Sequence, residues 1–270
     1  MFFTVITILF VLLFCILSLF MLPLTFFVRR ANPLKGDLMS LHFVQWAFRV
    51  VIFLSGIRVT LRGEENIPTD RPVLFIGNHR SIFDIVITYA QVKGRTGYIS
   101  KESIKKLPVI SIWMERLYCL FMKREDLKQS LQIILTSIDY IKQGISICIF
   151  PEGTRNKGSE PVQPFHAGSF KPAEKTGCDI IPMAIAYDKP VFEEHLPWLY
   201  RTKVVLTYGA PIPTSGLSRD EKKALPERVR SCISDMYIEN VRILSGEKES
   251  GEKYCICAAC QACKKVLEAE

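Results

Sequence analysis

Hydrophobic positions come first in a single unbroken run. From Phe2 to Val28 there is no charged side chain, which is long enough for one helix to cross a hydrocarbon layer of about 30 Å. Arg29 and Arg30 close the run and Lys35 follows, a basic flank that the positive-inside rule holds on the cytoplasmic face. A charged start and a small-residue cleavage site, the marks of a secretory signal, are missing, so the segment reads as an uncleaved anchor. Pro23 offers an alternative: a helix broken there would lie in the interface instead of spanning. A second apolar stretch, 38–61, carries His42, Gln45, Arg49 and Arg58. Those polar positions predict an amphipathic helix packed on the first or lying on the lipid surface.

After Gly63 short apolar runs alternate with longer amphipathic ones. Strands are predicted over 72–76, 97–100, 120–122, 145–150, 180–186 and 203–208. Helices are predicted over 82–91, 126–143 and 169–175, followed by C-terminal helices interrupted near Pro226. In 126–143, Leu127, Leu131, Ile134, Ile138 and Ile141 share one face, Asp126 is the expected N-cap and Gly144 the stop. The alternation implies an α/β fold: membrane-associated helices, then a mixed, mainly parallel β-sheet flanked by helices. The expected boundaries are 1–61 for the anchoring helices, 62–245 for a catalytic domain and 246–270 for a cysteine-rich, loosely ordered tail.

Composition narrows the function. Apolar residues make up 49% of the chain, too many for a disordered or fibrous protein. A net charge of +8 attracts anionic lipid surfaces, acidic carriers or nucleic acid, but the basic residues are dispersed and the N-terminus seeks lipid, against nucleic acid. The 9 cysteines are an odd number; Cys15, Cys119, Cys148, Cys178 and Cys232 are scattered through apolar or helical stretches, as reduced thiols are. Cys255, Cys257, Cys260 and Cys263 have a spacing that can hold zinc or an iron–sulfur cluster. The alternative is an unligated tail, since no second ligand pair lies at zinc-finger distance.

Two constellations carry chemistry, each directly after a predicted strand. The first is Gly77-Asn78-His79-Arg80-Ser81-Ile82-Phe83-Asp84. On one helix His79 and Asp84 would stand about 140° apart. With His79 in the loop and Asp84 in the first helical turn they can meet, and the carboxylate can then fix the imidazole tautomer and leave the other nitrogen basic. The plainer alternative is a capping box of Ser81 and Asp84; one carboxylate has acceptor sites enough for both roles. The second is Phe150-Pro151-Glu152-Gly153-Thr154-Arg155. Gly153 permits close backbone approach, Arg155 offers a planar fork for phosphate and Glu152 accepts from hydroxyls. Its plainer alternative is a turn with a solvated arginine.

The order NHxxxxD then FPEGTR resembles the lysophospholipid and glycerophosphate acyltransferase family, in pattern closest to 1-acylglycerol-3-phosphate O-acyltransferases. Phe165-His166-Ala167-Gly168-Ser169-Phe170-Lys171 and Ile181-Pro182-Met183-Ala184-Ile185 resemble later segments of that family, and the likeness covers about 60–215. One motif departs: where the family has roughly GxxFIxR, this chain has Tyr118-Cys119-Leu120-Phe121-Met122-Lys123-Arg124, with tyrosine in the glycine's place.

The resemblance implies a glycerol-3-phosphate acyltransferase-like fold and a direct transfer from a thioester, acyl-CoA or acyl-ACP, to the free hydroxyl of 1-acylglycerol 3-phosphate. His79 would be the base and Asp84 its orienting group. Arg124 and Arg155 would hold phosphate, with Asn78, Glu152, Gly153 and Thr154 completing the substrate side. It implies no metal and no cofactor beyond the co-substrate; the partners are the lysolipid, the acyl carrier and the bilayer. Glycerol 3-phosphate or another lysophospholipid is the alternative acceptor. A serine esterase is disfavoured because no GxSxG elbow is present, and a non-catalytic lipid-binding scaffold has no need of both His79 and Asp84.

Overall fold

The computed structural model describes residues 2–123, 125–158, 160–192 and 196–246; Arg124 and Cys255, Cys257, Cys260 and Cys263 lie outside them. In chain order the elements are α1 (Phe2–Ala31), α2 (Pro33–Leu54), β1 (Ile57–Arg62), β2 (Leu74–Gly77), α3 (Phe83–Tyr89), β3 (Thr96–Lys101), α4 (Pro108–Arg116), β4 (Leu120–Met122), α5 (Leu127–Lys142), β5 (Ser146–Ile149), α6 (Lys171–Thr176), β6 (Ile180–Tyr187), β7 (Thr202–Tyr208) and α7 (Arg219–Ser245). They cluster into two compact units that interleave along the chain. The first is Met1–Arg58, Ser81–Ile133 and Lys189–Lys203; the second is Val59–Arg80, Ile134–Asp188 and Val204–Glu270.

In the first unit, α1 is inside-out by the standard of a water-facing helix. It buries Thr4, Thr7, Ser18 and Thr25 and turns Leu9, Leu12, Leu19, Phe20 and Phe27 outward, Phe20 at 72% exposure. A helix against water buries its apolar stripe; one against hydrocarbon turns its polar groups inward, where partners satisfy them. Ser18 Oγ accepts the indole N–H of buried Trp113 at 2.9 Å, and Thr4 Oγ1 accepts the backbone N–H of Leu199 at 2.8 Å. Both α1 and α2 are long and apolar enough to cross a membrane. Replacing Ser18 by valine leaves the Trp113 N–H buried without an acceptor. Unfolding in detergent should then lose about 1–3 kcal/mol; an unchanged midpoint would show that the bond contributes nothing.

Of the two readings open at Pro23, the continuous helix is the one found: α1 passes through it unbroken. Packing on α2 holds it on both sides, through the Phe14–Phe43 stack before the proline and the 2.8 Å Arg29–Asp37 ion pair after it. One expectation for this region is corrected: the stretch 38–61 is not one helix. It ends at Leu54, Gly56 turns the chain with φ 71, and β1 begins at Ile57, where Ile57, Val59 and Thr60 supply the β-branched side chains a strand favours. The polar residues of α2 act as docking groups. Gln45 donates to the carbonyls of Tyr89 and Val92 at 3.2 and 2.7 Å, and Arg49 donates to Ala90 at 3.1 Å. These acceptors lie at the C-terminus of α3, where carbonyls lack helical partners.

The second unit is built on strands in the order β1-β7-β6-β2-β5. β2 runs parallel to β5 and to β6, and β6 runs antiparallel to β7. In the first unit β3 and β4 are parallel. The strands are therefore mixed and mainly parallel, as the alternating pattern predicts. Every residue of β2 is buried, as befits a strand covered on both faces. Helix α7 packs on β6: buried Asn240 donates to Ala184 O at 3.0 Å and accepts the Thr207 hydroxyl at 2.6 Å. A capping box of Ser218 and Glu221 starts α7, which then continues through Pro226 as one helix where an interruption was expected.

α5 keeps its expected ends and only part of its expected face: Ile141 is buried and Ile134 and Ile138 half-buried, but Leu127 and Leu131 are exposed. Asp126 accepts the Gln129 N–H at 3.0 Å and Gly144 stops the helix with φ 76. The side chains buried along it are Ile133, Ser137 and Ile141, whereas Leu127, Leu131 and Leu135 stand outward at 84%, 58% and 47% exposure. Helix α4 and strand β1 have no counterpart in the sequence-based expectation.

Candidate active site

Parallel pairing puts the two motifs at one end of the second unit's sheet. Ile76 of β2 is in register with Ile149 of β5, so Gly77-Asn78-His79 and Phe150-Pro151-Glu152 leave adjacent strands side by side. Ligands gather at such strand ends in α/β sheets. Asn78, fully buried, extends the ladder with its side chain: Oδ1 accepts the Ile185 N–H at 2.8 Å and Nδ2 donates to the Ile185 carbonyl at 3.0 Å.

His79 is pinned through its backbone. Its N–H donates to Glu152 Oε1 at 2.7 Å, and its carbonyl accepts the Asn156 N–H at 2.7 Å. The imidazole lies nearly parallel to Phe150 with ring centroids 4.6 Å apart. The ring is thus set by its neighbours before any substrate arrives, and it is only half-buried.

Glu152 ties the two loops together. Beyond the His79 N–H it takes the Gln163 N–H on Oε2 at 3.2 Å. Burial pushes its carboxyl above the ordinary range, against the lowering effect of those two N–H groups and of the nearby His79 and Arg80 side chains. Both carboxylate oxygens thus accept from backbone N–H groups of the neighbouring loops, where the motif alone predicts acceptance from hydroxyls. Gly153 takes φ 72, and a side chain there would meet the His166 ring at 3.0 Å. Thr154 and Arg155 follow at the surface, both exposed. Arg124, the other residue expected on phosphate, lies outside the described residues.

Three residues to which the sequence assigns no role complete this loop pair. Asn156 is buried; its Nδ2 donates to Glu160 O at 2.9 Å and its Oδ1 accepts the Gly158 N–H at 2.9 Å. Arg80 donates to Gly158 O at 2.9 Å and Glu160 O at 3.2 Å and lies over the Tyr237 ring at 5.3 Å. Gln163 donates to Glu152 as described. The only sequence signal for them is their place beside the motifs, because backbone carbonyl partners leave no trace in side-chain spacing.

Asp84 belongs to the first unit, at the start of α3, and is fully buried. Its Oδ2 accepts the Ser81 N–H at 2.8 Å, while Ser81 Oγ accepts the Phe83 N–H at 3.1 Å. The capping alternative is therefore a real feature of this helix start. Among the described residues no group of three or more His, Cys, Asp or Glu is placed to hold a metal ion.

Tyr118 explains the one motif that departs from pattern. It adopts φ 62, the left-handed region that glycine enters without penalty and a tyrosine does not. The side chain offsets the strain through its hydroxyl, which donates to Asp37 and accepts from Arg29 Nη2 at 3.1 Å. The ring is thereby engaged within the first unit.

A family model described as Acyltransferase matches residues 58–186, a span that contains both motifs. The 1-acyl-sn-glycerol-3-phosphate acyltransferase of Borreliella burgdorferi is 28% identical over 195 residues, covering 72% of this chain and 78% of that protein. The chloroplastic 1-acyl-sn-glycerol-3-phosphate acyltransferase BAT2 of Brassica napus is 30% identical over 145 residues, and the match covers only 42% of its length. Among solved structures, the 1-acyl-sn-glycerophosphate (LPA) acyltransferase PlsC from Thermotoga maritima shares the fold, with a TM-score of 0.71 over 88% of this chain and 95% of that one at 23% identity. Residues 58–186, which carry the two motif loops on adjacent parallel strands, match the acyltransferase family.

Proposed function

We propose that the protein transfers a fatty acyl group from a thioester, acyl-CoA or acyl-ACP, to the free hydroxyl of 1-acylglycerol 3-phosphate, giving phosphatidic acid. His79 takes the hydroxyl proton as the oxygen attacks the thioester carbonyl. The tetrahedral centre then collapses, the C–S bond breaks, and the imidazolium returns its proton to the departing thiolate, so an ester and a free thiol result. An unactivated alcohol is a poor nucleophile at neutral pH, and a positioned base contributes about 10²–10⁴ in rate. The remainder comes from holding the two substrates together and from stabilising the oxyanion. Asp84 orients the imidazole, Arg124 and Arg155 hold the acceptor phosphate, and Asn78, Glu152, Gly153 and Thr154 shape the acceptor side. The protein's own side chains suffice, without metal or cofactor.

The observation that supports this reading is the doubly anchored His79 backbone, bonded at 2.7 Å to Glu152 and at 2.7 Å to Asn156. It sets one motif's imidazole against the other motif's loop. The relatives' names favour lysophosphatidic acid as acceptor. Arg29 and Arg30 in the last turn of α1 favour the cytoplasmic side for the catalytic part, where the thioester carriers are found.

The test is purified protein with labelled acyl-CoA or acyl-ACP and a panel of lysophosphatidic acid, glycerol 3-phosphate and neutral lysophospholipids, with products resolved by lipid chromatography. Lysophosphatidic acid should be acylated fastest. Faster transfer to glycerol 3-phosphate, or none to any acceptor, would overturn the assignment. Arg155→Ala should raise the acceptor KM roughly 10- to 100-fold, the loss of one charge-assisted contact, with little change in donor KM. An unchanged acceptor KM would remove Arg155 from the phosphate site.

A further inference from the structure

The leucines that the helical pattern assigns to the core of α5 lie outside it. Leu127 and Leu131, one turn apart, are 84% and 58% exposed. The first turn of α5 is tied to the segment preceding α4, since Gln129 Nε2 donates to Glu102 Oε1 at 3.2 Å. That segment ends in Lys105, Lys106 and Leu107, and Leu107 and Ile110 are themselves 52% and 38% exposed. The two segments thus bring large apolar side chains to one region of the first unit. Single exposed leucines need no explanation, but grouped ones mark an interaction surface.

The same unit says what covers them. Its helix α1 already presents a face of Leu and Phe that only hydrocarbon solvates well. The rim of the α4–α5 surface is basic, with Lys105 and Lys106 exposed and Lys105 Nζ 5.3 Å above the Phe121 ring. Glu102, Glu125 and Asp126 also lie here, and two of these are engaged: Glu102 on Gln129 and Asp126 as the cap of α5. Lysines beside buried apolar groups keep their stems in the apolar layer and their ammonium groups at headgroup level.

We infer that Leu107, Ile110, Leu127 and Leu131 form a second membrane contact, seated in the interface of a phospholipid bilayer with Lys105 and Lys106 among anionic headgroups. The catalytic chain would then rest on the membrane by its own surface as well as hang from α1. A lysolipid could enter without its acyl chain crossing water.

The test uses the full chain in vesicles of zwitterionic and anionic phospholipid with brominated acyl chains. Leu127→Trp, compared with the wild-type background of Trp46, Trp113 and Trp198, should add emission that the bromines quench and aqueous iodide does not. Leu131→Trp repeats the measurement in case the first variant folds poorly. Added emission quenched by iodide alone would overturn the inference. So would shielding that persists in brominated-lipid-free detergent and grows with protein concentration, which would mean a second copy covers the face. In addition, the Leu127→Gln/Leu131→Gln double variant should lose on the order of tenfold or more in rate on vesicle-embedded acceptor while keeping its rate on micellar acceptor. Equal losses in both would point away from the bilayer. The quenching readout does not depend on catalysis, so it stands even if the acceptor assignment fails.

Discussion

His79→Ala should abolish acyl transfer and leave a folded, membrane-bound protein. The backbone bonds that fix this loop, to Glu152 and from Asn156, involve main-chain atoms of residue 79 and persist in the alanine variant. What disappears is the imidazole, with its stack on Phe150. Loss of a stacked, half-buried ring costs about 0.5–1.5 kcal/mol beyond its area, too little to unfold the chain. Loss of a general base costs about 10²–10⁴ in rate. Initial rates and thermal unfolding on the same preparation separate the two effects. Full activity in His79→Ala would overturn the base assignment, and a serine or cysteine acyl-enzyme trapped by mass spectrometry would overturn direct transfer.

The parts of this molecule legible in the sequence are those where local pattern and fold agree. β4 falls at 120–122 as predicted because Leu120-Phe121-Met122 is apolar and closely bounded. The ends of α5 are written by Asp126 and Gly144, whose hydrogen bond and positive φ are local properties. The motif loops were legible because residue types and spacing alone carry their resemblance. What escaped was decided by distant partners or by solvent. Periodicity identified an apolar stripe on α5 but could not say whether protein or another medium would cover it. Pro23 leaves a break open as an alternative and Pro226 predicts one because a missing N–H is visible in sequence, whereas the packing that holds both helices continuous is not. Gln45 and Arg49 predict an amphipathic helix without naming its partner, because their carbonyl acceptors at the end of α3 lie some forty residues away in the chain. Asn156 and Gln163 act through backbone bonds to their neighbours, for which sequence has no distinctive sign.

Asp84→Asn separates two uses of one carboxylate. The cap at the start of α3 needs an oxygen to accept the Ser81 N–H, which Asp84 does at 2.8 Å from a fully buried position. Asparagine supplies such an oxygen in its Oδ1, so the unfolding midpoint should hardly move. The amide carries no charge and cannot stabilise an imidazolium or fix its tautomer. On the proposed mechanism kcat should therefore fall on the order of 10²–10⁴, with the KM values little changed. Asp84→Ala should show the same kinetic defect and lose a further ~1 kcal/mol of stability with the cap. The discriminating pair is rate against midpoint. If Asp84→Asn retains the wild-type rate, the residue serves only the helix start, and the imidazole of His79 must act without a carboxylate behind it.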